Sequence, residues 1–535
     1  MLRGNTSRYG LRTAAGAGLI LFILANVTGC GGGGGSYGGG GSTVTTGGAT
    51  TWTAGVFQPE AHFAAQCAAP RSGTDPATGK PYPDVAGSAT DENNWLRSWT
   101  NDLYLWYSEV PDLDPANYTT AAYFPLLKTS GTDSLGQPKD KFHFTYPTST
   151  WEALSLQGQN VGYGAQFIVV QPAPPRQIVV AYTDPGSPAA TAPASLARGA
   201  SVLSIDGVDA VNGGTQADVD ILNAGLSPAS TGESHTFSIL DLNAASPRTV
   251  TLTAVDVTDV PVQDVMVVPT TTTGYMLFTD QLATSEAALI AAVTTLKADA
   301  ITDLVLDIRY NGGGYLDIAS ELAYMIAGPG PTAGQTFDLQ QFNSKHPSTN
   351  PVLGTAITPT PFHTTTQGFS ATAGQPLPTL NLAWVFVLTT AATCSASEAV
   401  MNGLAGVGVH VIQIGSTTCG KPYGFYAQDN CGTTYFSIQF HGVNAKGFGD
   451  YPDGFTPAAT VGAGFPGCPV NDDFTHALGD PNESLLFVAQ GYQSGQTCLT
   501  PPAGIGPAPG VRSGIAVRSP LREMRLMRHG PGSAH

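Results

Sequence analysis

The chain has 535 residues, with 65 glycines, 40 prolines and only 11% charged side chains; at roughly 150 residues per domain this excludes a single small module. Its 42% hydrophobic content excludes wholesale disorder despite the many turn-formers. A formal charge of −17, from 39 acidic against 22 basic side chains, repels phosphate backbones and excludes nucleic acid as a natural partner.

At the start of the chain Arg3, Arg8 and Arg12 precede an apolar run from Ala14 to Ala25, then Val27-Thr28-Gly29-Cys30. The run is too short for a permanent membrane span and reads as a targeting segment. The small residues before Cys30 resemble a bacterial lipoprotein signal (residues 1–30), which implies lipidation of Cys30 and an anchor in the cell envelope. An ordinary secretory signal with a chance cysteine is the alternative, and export follows either way. No Asp follows Cys30, which by analogy with lipoprotein sorting points to the outer membrane facing the periplasm. Residues 31–55, rich in Gly and Thr, read as a flexible tether.

Six further cysteines remain: Cys67, Cys394, Cys419, Cys431, Cys468 and Cys498. An even number in an exported chain favours disulfides over metal ligation. Cys419 and Cys431 flank an expected hairpin and are the candidate pair; the other four leave three pairings open. With neither CxxC nor HExxH in the chain, no metal or organic cofactor is expected.

Residues 56–157 read as a helical region. Trp95, Trp99, Leu103 and Trp106 or Tyr107 recur at helical spacing, which makes either a packed cap or a Trp-rich carbohydrate or lipid site. From 158 to 258 the pattern changes to short alternating strands, at Gln166–Val170, Gln177–Ala181, Val202–Ile205, His235–Leu240 and Val250–Ala254. Gly162-Tyr163-Gly164-Ala165, Pro185–Ala190 and Arg198-Gly199 with Val202–Gly207 resemble the carboxylate loop, short helix and central segment of a PDZ domain. Ala200 departs from the Asp usual in that segment. The resemblance implies a peptide-binding loop at Gly162, Tyr163, Gly164 and Ala165, with polypeptide C-termini as ligands. A small β-barrel with merely structural turns is the alternative.

From 259 to 500 strands alternate with helices: a helix at Ser285–Lys297, a buried strand at Leu304–Ile308, and a helix from the Asn311–Gly314 turn to about Ala327. A strand at Ala383–Leu388 then leads into Ser395-Ala396-Ser397-Glu398 and another helix, before a strand at His410–Ile414. This alternation predicts a mostly parallel sheet with chemistry at the strand C-terminal ends. Residues 501–535, rich in Pro, Gly and Arg, read as a disordered tail.

A serine where a strand turns into a helix exposes its Oγ beside free N–H groups, and a glycine turn after a neighbouring strand brings bare amides to the same spot. Ser395 and the Gly312–Gly314 turn have these settings. Lys421 follows the next strand, where desolvation would ease loss of its proton and make it a general base. His363 and His441 are the alternative bases. Asp307 and Arg309 read as a structural pair at the sheet end.

Leu304–Gly314, Ser395–Glu398 and Thr418-Cys419-Gly420-Lys421, in this order behind a PDZ-like segment, resemble the C-terminal processing (tail-specific) serine peptidases over roughly residues 90 to 460. The resemblance implies a crotonase/ClpP-like α/β catalytic domain, a PDZ-like β-rich domain and a helical N-terminal region. It implies Ser395 as nucleophile and Lys421 as base, with the amides of Ala396 and of Gly313 or Gly314 as oxyanion hole. Glu398 and Thr418 match supporting positions. Phe425 stands where the family carries a Gln that bonds the Lys, so Gln428 or Glu398 takes over that role or packing alone holds the amine. The implied function is a serine endopeptidase acting on extracytoplasmic polypeptides; a non-catalytic ligand- or peptide-binding lipoprotein on the same fold is the second reading.

Overall fold

The computed structural model describes residues 52–133, 136–458, 464–495 and 497–501, and the backbone of two later strands, 515–516 and 525–526. The targeting segment, Cys30, nearly all of the tether and most of the Arg-rich tail lie outside the described residues.

Helix α1, Ala89–Leu103, begins where the Ser88 hydroxyl accepts the Asp91 amide, with Asp91 and Glu92 favourably placed at the positive end of the helix dipole. Trp95 and Trp99 stack at 5.4 Å, and Trp95 packs on Tyr435 at 5.5 Å. Both indoles are buried, so the aromatic stripe is core and not a carbohydrate or lipid surface. The helix stops short of Trp106. Asn343 Nδ2 donates to the carbonyls of Asp102 and Tyr104, satisfying the helix end while the chain turns extended at Tyr104. The remainder up to residue 157 is mainly irregular, apart from helix α2 at Thr148–Gln157 and short turns, so the expected helical region is only partly helical.

A β-rich part follows. Strands β1 (Ala165–Gln171), β2 (Gln177–Thr183), β3 (Ser201–Ile205), β4 (Ser234–Leu240) and β5 (Arg248–Thr253) form an antiparallel sheet in the order β5-β4-β3-β2-β1. Helix α3 (Gln216–Leu226), started by a Thr215–Asp218 capping box, contributes Leu222 to a core of Phe167, Val180, Ile205, Phe237 and Ile239. The segment Pro185–Ala190 forms turns and not the expected helix. Pro185 and Pro188 lack the N–H a helix needs, and Gly186 sits at φ 81°. Beyond β1, Ile515–Ala516 adds an antiparallel strand to its edge.

The α/β part is built on β6 (Val262–Val267), β7 (Thr273–Phe278), β8 (Asp303–Asp307), β9 (Trp384–Thr389), β10 (His410–Gly415) and β11 (Gly467–Pro469), in that spatial order. β6 pairs antiparallel with β7, and the other four pairings are parallel. Side chains alternate between two cores. Met276, Leu304, Leu306, Val385 and Val387 face helices α4 (Ser285–Ala298), α5 (Leu316–Ala327) and α6 (Ala396–Gly406), while Tyr275, Leu277, Val305, Phe386 and Leu388 meet helix α7 (Ser484–Gly495). Each such buried side chain contributes about 1.5–3 kcal/mol, which makes the strand ends rigid mounts. The smaller sheets are mostly antiparallel: Gln428–Asn430 and Thr433–Phe436 form a hairpin joined by Phe144–Pro147. The molecule is therefore mixed, and the expected mostly parallel arrangement holds for the six-stranded sheet alone.

The cysteines pair as Cys67–Cys431, Cys394–Cys419 and Cys468–Cys498, which corrects the expected Cys419–Cys431 bridge. Cys431 occupies the turn of the 428–436 hairpin, with its Cα 5.3 Å from that of Cys67. Cys419 is not on that hairpin; it lies in the loop after β10, with its Cα 5.1 Å from that of Cys394.

Candidate active site

Three adjacent parallel strands, β8, β9 and β10, end at one edge of the sheet, and the loop after each carries one part of the site. The loop after β9 ends at Ser395, immediately before α6. Ser395 has φ 61° and ψ −113°, a backbone conformation that costs a non-glycine residue about 1–3 kcal/mol and is kept only where the surroundings enforce it. Its amide is capped by the Glu398 side chain, while Oγ is buried and has no hydrogen-bond partner among the described residues. The hydroxyl thus stands at the N-terminal end of α6, the positive end of the helix dipole, with the Ala396 amide in the helix's first turn.

Glu398 enforces this geometry. Its Oε2 accepts the amides of Ser395 at 2.9 Å and Lys421 at 2.8 Å, while Oε1 accepts the Gly420 amide at 2.9 Å and the Thr418 hydroxyl at 2.5 Å. Burial pushes the carboxyl up from its ordinary value, and the Thr418 hydroxyl and the amides oppose that push. Thr418 Oγ1 in turn accepts the Phe455 amide at 2.7 Å.

The loop after β8 supplies the glycine bend. Gly314 has φ 136°, and a Cβ there would lie 2.2 Å from the Gln281 carbonyl oxygen, so only glycine fits. The Gly313 amide donates to Asn311 Oδ1 at 2.9 Å and is thus engaged within the bend. Asn311 joins the bend to the Ser395 turn. Its carbonyl accepts the Cys394 amide at 3.0 Å, and its Oδ1 accepts the Ser397 hydroxyl at 2.8 Å.

Lys421 is fully buried, with Nζ 4.3 Å from the centroid of the Phe142 ring and 4.5 Å from that of Phe425. The aromatic at the position of the family's Gln therefore packs against the amine itself. Gln428 opens the 428–436 hairpin and pairs with Tyr435. The alternative bases are engaged elsewhere: His363 Nε2 meets Asp317 Oδ1 at 2.8 Å, and His441 lies on a strand paired with Tyr423 and Gln341. Neither bonds Ser395 Oγ.

Asp307 and Arg309 form the expected structural pair, within a larger buried network. Arg309 contacts Asp307, Asp472 and Glu483 at 2.8–3.0 Å, and Arg198 from the β-rich part reaches Asp472 at 2.7 Å. Burial works to raise the Asp472 carboxyl, yet the two arginines hold it below the usual range. Gly162, Tyr163, Gly164 and Ala165 line a separate pocket that also includes Tyr182, Asp184 and Asp259. Among the described residues Cys394, Glu398 and Cys419 are close enough to hold an ion, but the two sulfurs are bonded to each other.

Residues 272–424 match the sequence profile of peptidase family S41. That span carries the glycine bend, Ser395 and Lys421. An S41 protease structure from Bacteroides fragilis is similar over 78% of this chain and 98% of its own, at 22% identity and a TM-score of 0.56. The fold is that of an S41 peptidase. The photosystem II D1 C-terminal processing protease is similar over 70% of this chain and 92% of its own, at 20% identity and a TM-score of 0.39. Mature CPAF complexed with lactacystin aligns over 69% of this chain and 92% of its own, at 12% identity and a TM-score of 0.34. No curated protein sequence matches the chain.

Sequence reasoning missed Asn311, Phe142, the acids Asp472 and Glu483, and the Cys394–Cys419 bridge. Asn311 alone carried a signal, as the residue that opens the glycine turn.

Proposed function

We propose that the protein is a serine endopeptidase of the cell envelope in which Ser395 is the nucleophile and Lys421 its general base. The observation that carries this reading is the Ser395 hydroxyl itself: buried, without a hydrogen-bond partner among the described residues, in a costly backbone conformation, and tied through Glu398 to the turn of a buried lysine. In the proposed reaction Ser395 Oγ attacks the scissile carbonyl as its proton passes to Lys421 Nζ. The amides of Ala396 and Gly314 hold the oxyanion, each contributing about 3 kcal/mol by analogy with donor deletions elsewhere. The departing amine takes the proton, and water then releases the acyl-enzyme.

Extended polypeptide suits the surroundings. Arg525–Leu526 of this chain pairs in parallel with Gly314–Tyr315, so the edge beside the proposed oxyanion hole accepts a main chain. The β1 edge takes Ile515–Ala516 as an antiparallel strand, which supports a PDZ-like role for the Gly162–Ala165 loop. Asp184 and Asp259 in the loop pocket favour main-chain or cationic contacts over a free C-terminal carboxylate. Lipidation at Cys30 would anchor the enzyme to the outer membrane facing the periplasm, and replacing Cys30 by Ala should release it to the soluble fraction.

The test uses protein lacking residues 1–30 with an unfolded casein as substrate. Hydrolysis is expected, and Ser395→Ala and Lys421→Ala should each lower it by about a thousandfold or more. Undiminished hydrolysis in both variants would remove the assignment.

A further inference from the structure

We propose that the Cys394–Cys419 disulfide is a positioning element of the Ser395–Lys421 pair, holding the nucleophile turn against the base turn. The inference rests on the peptidase reading above and adds a covalent requirement to it. Cys394 directly precedes the nucleophile, and Cys419 lies two residues before the base. Their Cα atoms are 5.1 Å apart, and the bridge closes only 25 residues of chain, from the end of the β9 loop to the loop after β10.

The bridge works in parallel with two non-covalent ties across the same gap. The Cys419 amide donates to the Thr393 carbonyl at 3.0 Å, and Glu398 gathers the amides of Ser395, Gly420 and Lys421. Tyr104, Phe142 and Ile438 pack into one cluster with Cys394, and Cys419 lies against it; Phe142 is the ring that also covers the Lys421 amine. A strained residue such as Ser395 keeps its conformation only when its neighbours over-determine it. Opening the bridge removes one of those constraints at the adjacent residue. Two turns that carry a nucleophile and a base then gain freedom relative to each other, and displacement of about 1 Å can lower turnover about a hundredfold.

The other two bridges join no such turns. Cys67–Cys431 ties the N-terminal segment to a hairpin, and Cys468–Cys498 ties β11 to the chain after α7. Cys468–Cys498 closes 30 residues against 25, so deleting either bridge frees nearly the same unfolded-chain entropy. It is the matched control.

The test compares the double variants Cys394→Ala/Cys419→Ala and Cys468→Ala/Cys498→Ala in protein lacking residues 1–30. Both should lose similar thermal stability. The first alone should lose kcat by about ten- to a hundredfold, with KM within about twofold. Equal kcat in the two variants at equal folded fraction overturns the proposal.

Should the first variant fail to fold, wild-type protein is titrated with a dithiol reductant. Its two thiolates take the place of the protein disulfide, becoming a cyclic disulfide as the protein gains two thiols. Activity should fall in step with alkylation of Cys394 and Cys419; full alkylation there with activity intact overturns the proposal. Hydrogen exchange is read in the same titration. Amides in 393–400 and 416–424 should lose protection together when this bridge opens, and unchanged protection overturns the proposal even where no hydrolysis is measurable. Turnover in the wild type no greater than in Ser395→Ala would instead count against the peptidase reading.

Discussion

The backbone amides of Ser395 and Lys421 converge on one atom, Oε2 of Glu398, at 2.9 and 2.8 Å. A buried carboxylate thereby measures the separation between two turns that belong to different strand ends. Glu398→Gln puts an NH2 group against donors on one side or the other, leaving buried amides unpaired at about 1–3 kcal/mol each. The expected outcome is a kcat reduced about a hundredfold with a smaller change in KM, read from steady-state hydrolysis alongside the melting temperature. An unchanged kcat would show that the shared oxygen sets nothing in the reaction.

Phe425 offers a second test, because a polar residue is expected at that position and an aromatic one is present. Its ring packs edge-on to Phe144 and Phe436, at 6.1 and 5.4 Å, and lies 4.5 Å from the lysine nitrogen. Phe425→Gln puts an amide among these rings and should destabilise by about 3 kcal/mol without raising kcat. Phe425→Leu keeps an apolar side chain there and should retain activity within about threefold. Faster turnover in the Gln variant would mean that an amide at this position serves the amine better than the ring does.

Gly314→Ala asks whether the glycine bend is shaped by the Gln281 carbonyl. The new Cβ would sit 2.2 Å from that oxygen at a φ of 136°, so the bend must move. A loss of about 2–4 kcal/mol in urea unfolding and of about a hundredfold in kcat is expected. Gly330→Ala, where the added Cβ meets nothing within 4 Å, is the control and should change neither.

Local signals in the sequence predicted the site's mounts better than its supports. The buried strand before Asn311-Gly312-Gly313-Gly314 was legible because an apolar run ends at a glycine turn, and β8 indeed closes at Asp307 just before it. Helix α4 begins at Ser285, where its apolar spacing begins. What failed depended on contacts distant in sequence. The partner of Cys419 is set by where two strand ends meet, which spacing along the chain does not encode. Phe142 reaches Lys421 from the N-terminal region, and Asn343 ends helix α1 from the segment between α5 and β9. The Pro185–Ala190 turn differs in kind, because there the motif likeness implies a helix while Pro185 and Pro188 lack the N–H groups to sustain one.

His143 gives the protein a pH dependence whose sign follows from its surroundings. The ring is buried, stacked on Phe124 at 3.9 Å, with Nε2 2.9 Å from the Phe124 carbonyl oxygen. Burial pushes its pKa down from 6.5 to about 4, against the opposing pull of Asp140. Below pH 6.5 the unfolded chain takes up a proton that the folded chain refuses, so stability falls as the pH drops and levels off near pH 4. The slope from this residue should be about 1.4 kcal/mol per pH unit, for a total of about 3 kcal/mol. Urea unfolding at several pH values in this window measures it. His143→Gln, which cannot titrate, should flatten the curve by that amount relative to the wild type. An identical pH dependence in the two proteins would place the proton uptake on other groups. Because the folded ring stays neutral down to about pH 4, the same variant should leave the acid limb of the activity profile unchanged when activity is measured at matched folded fraction.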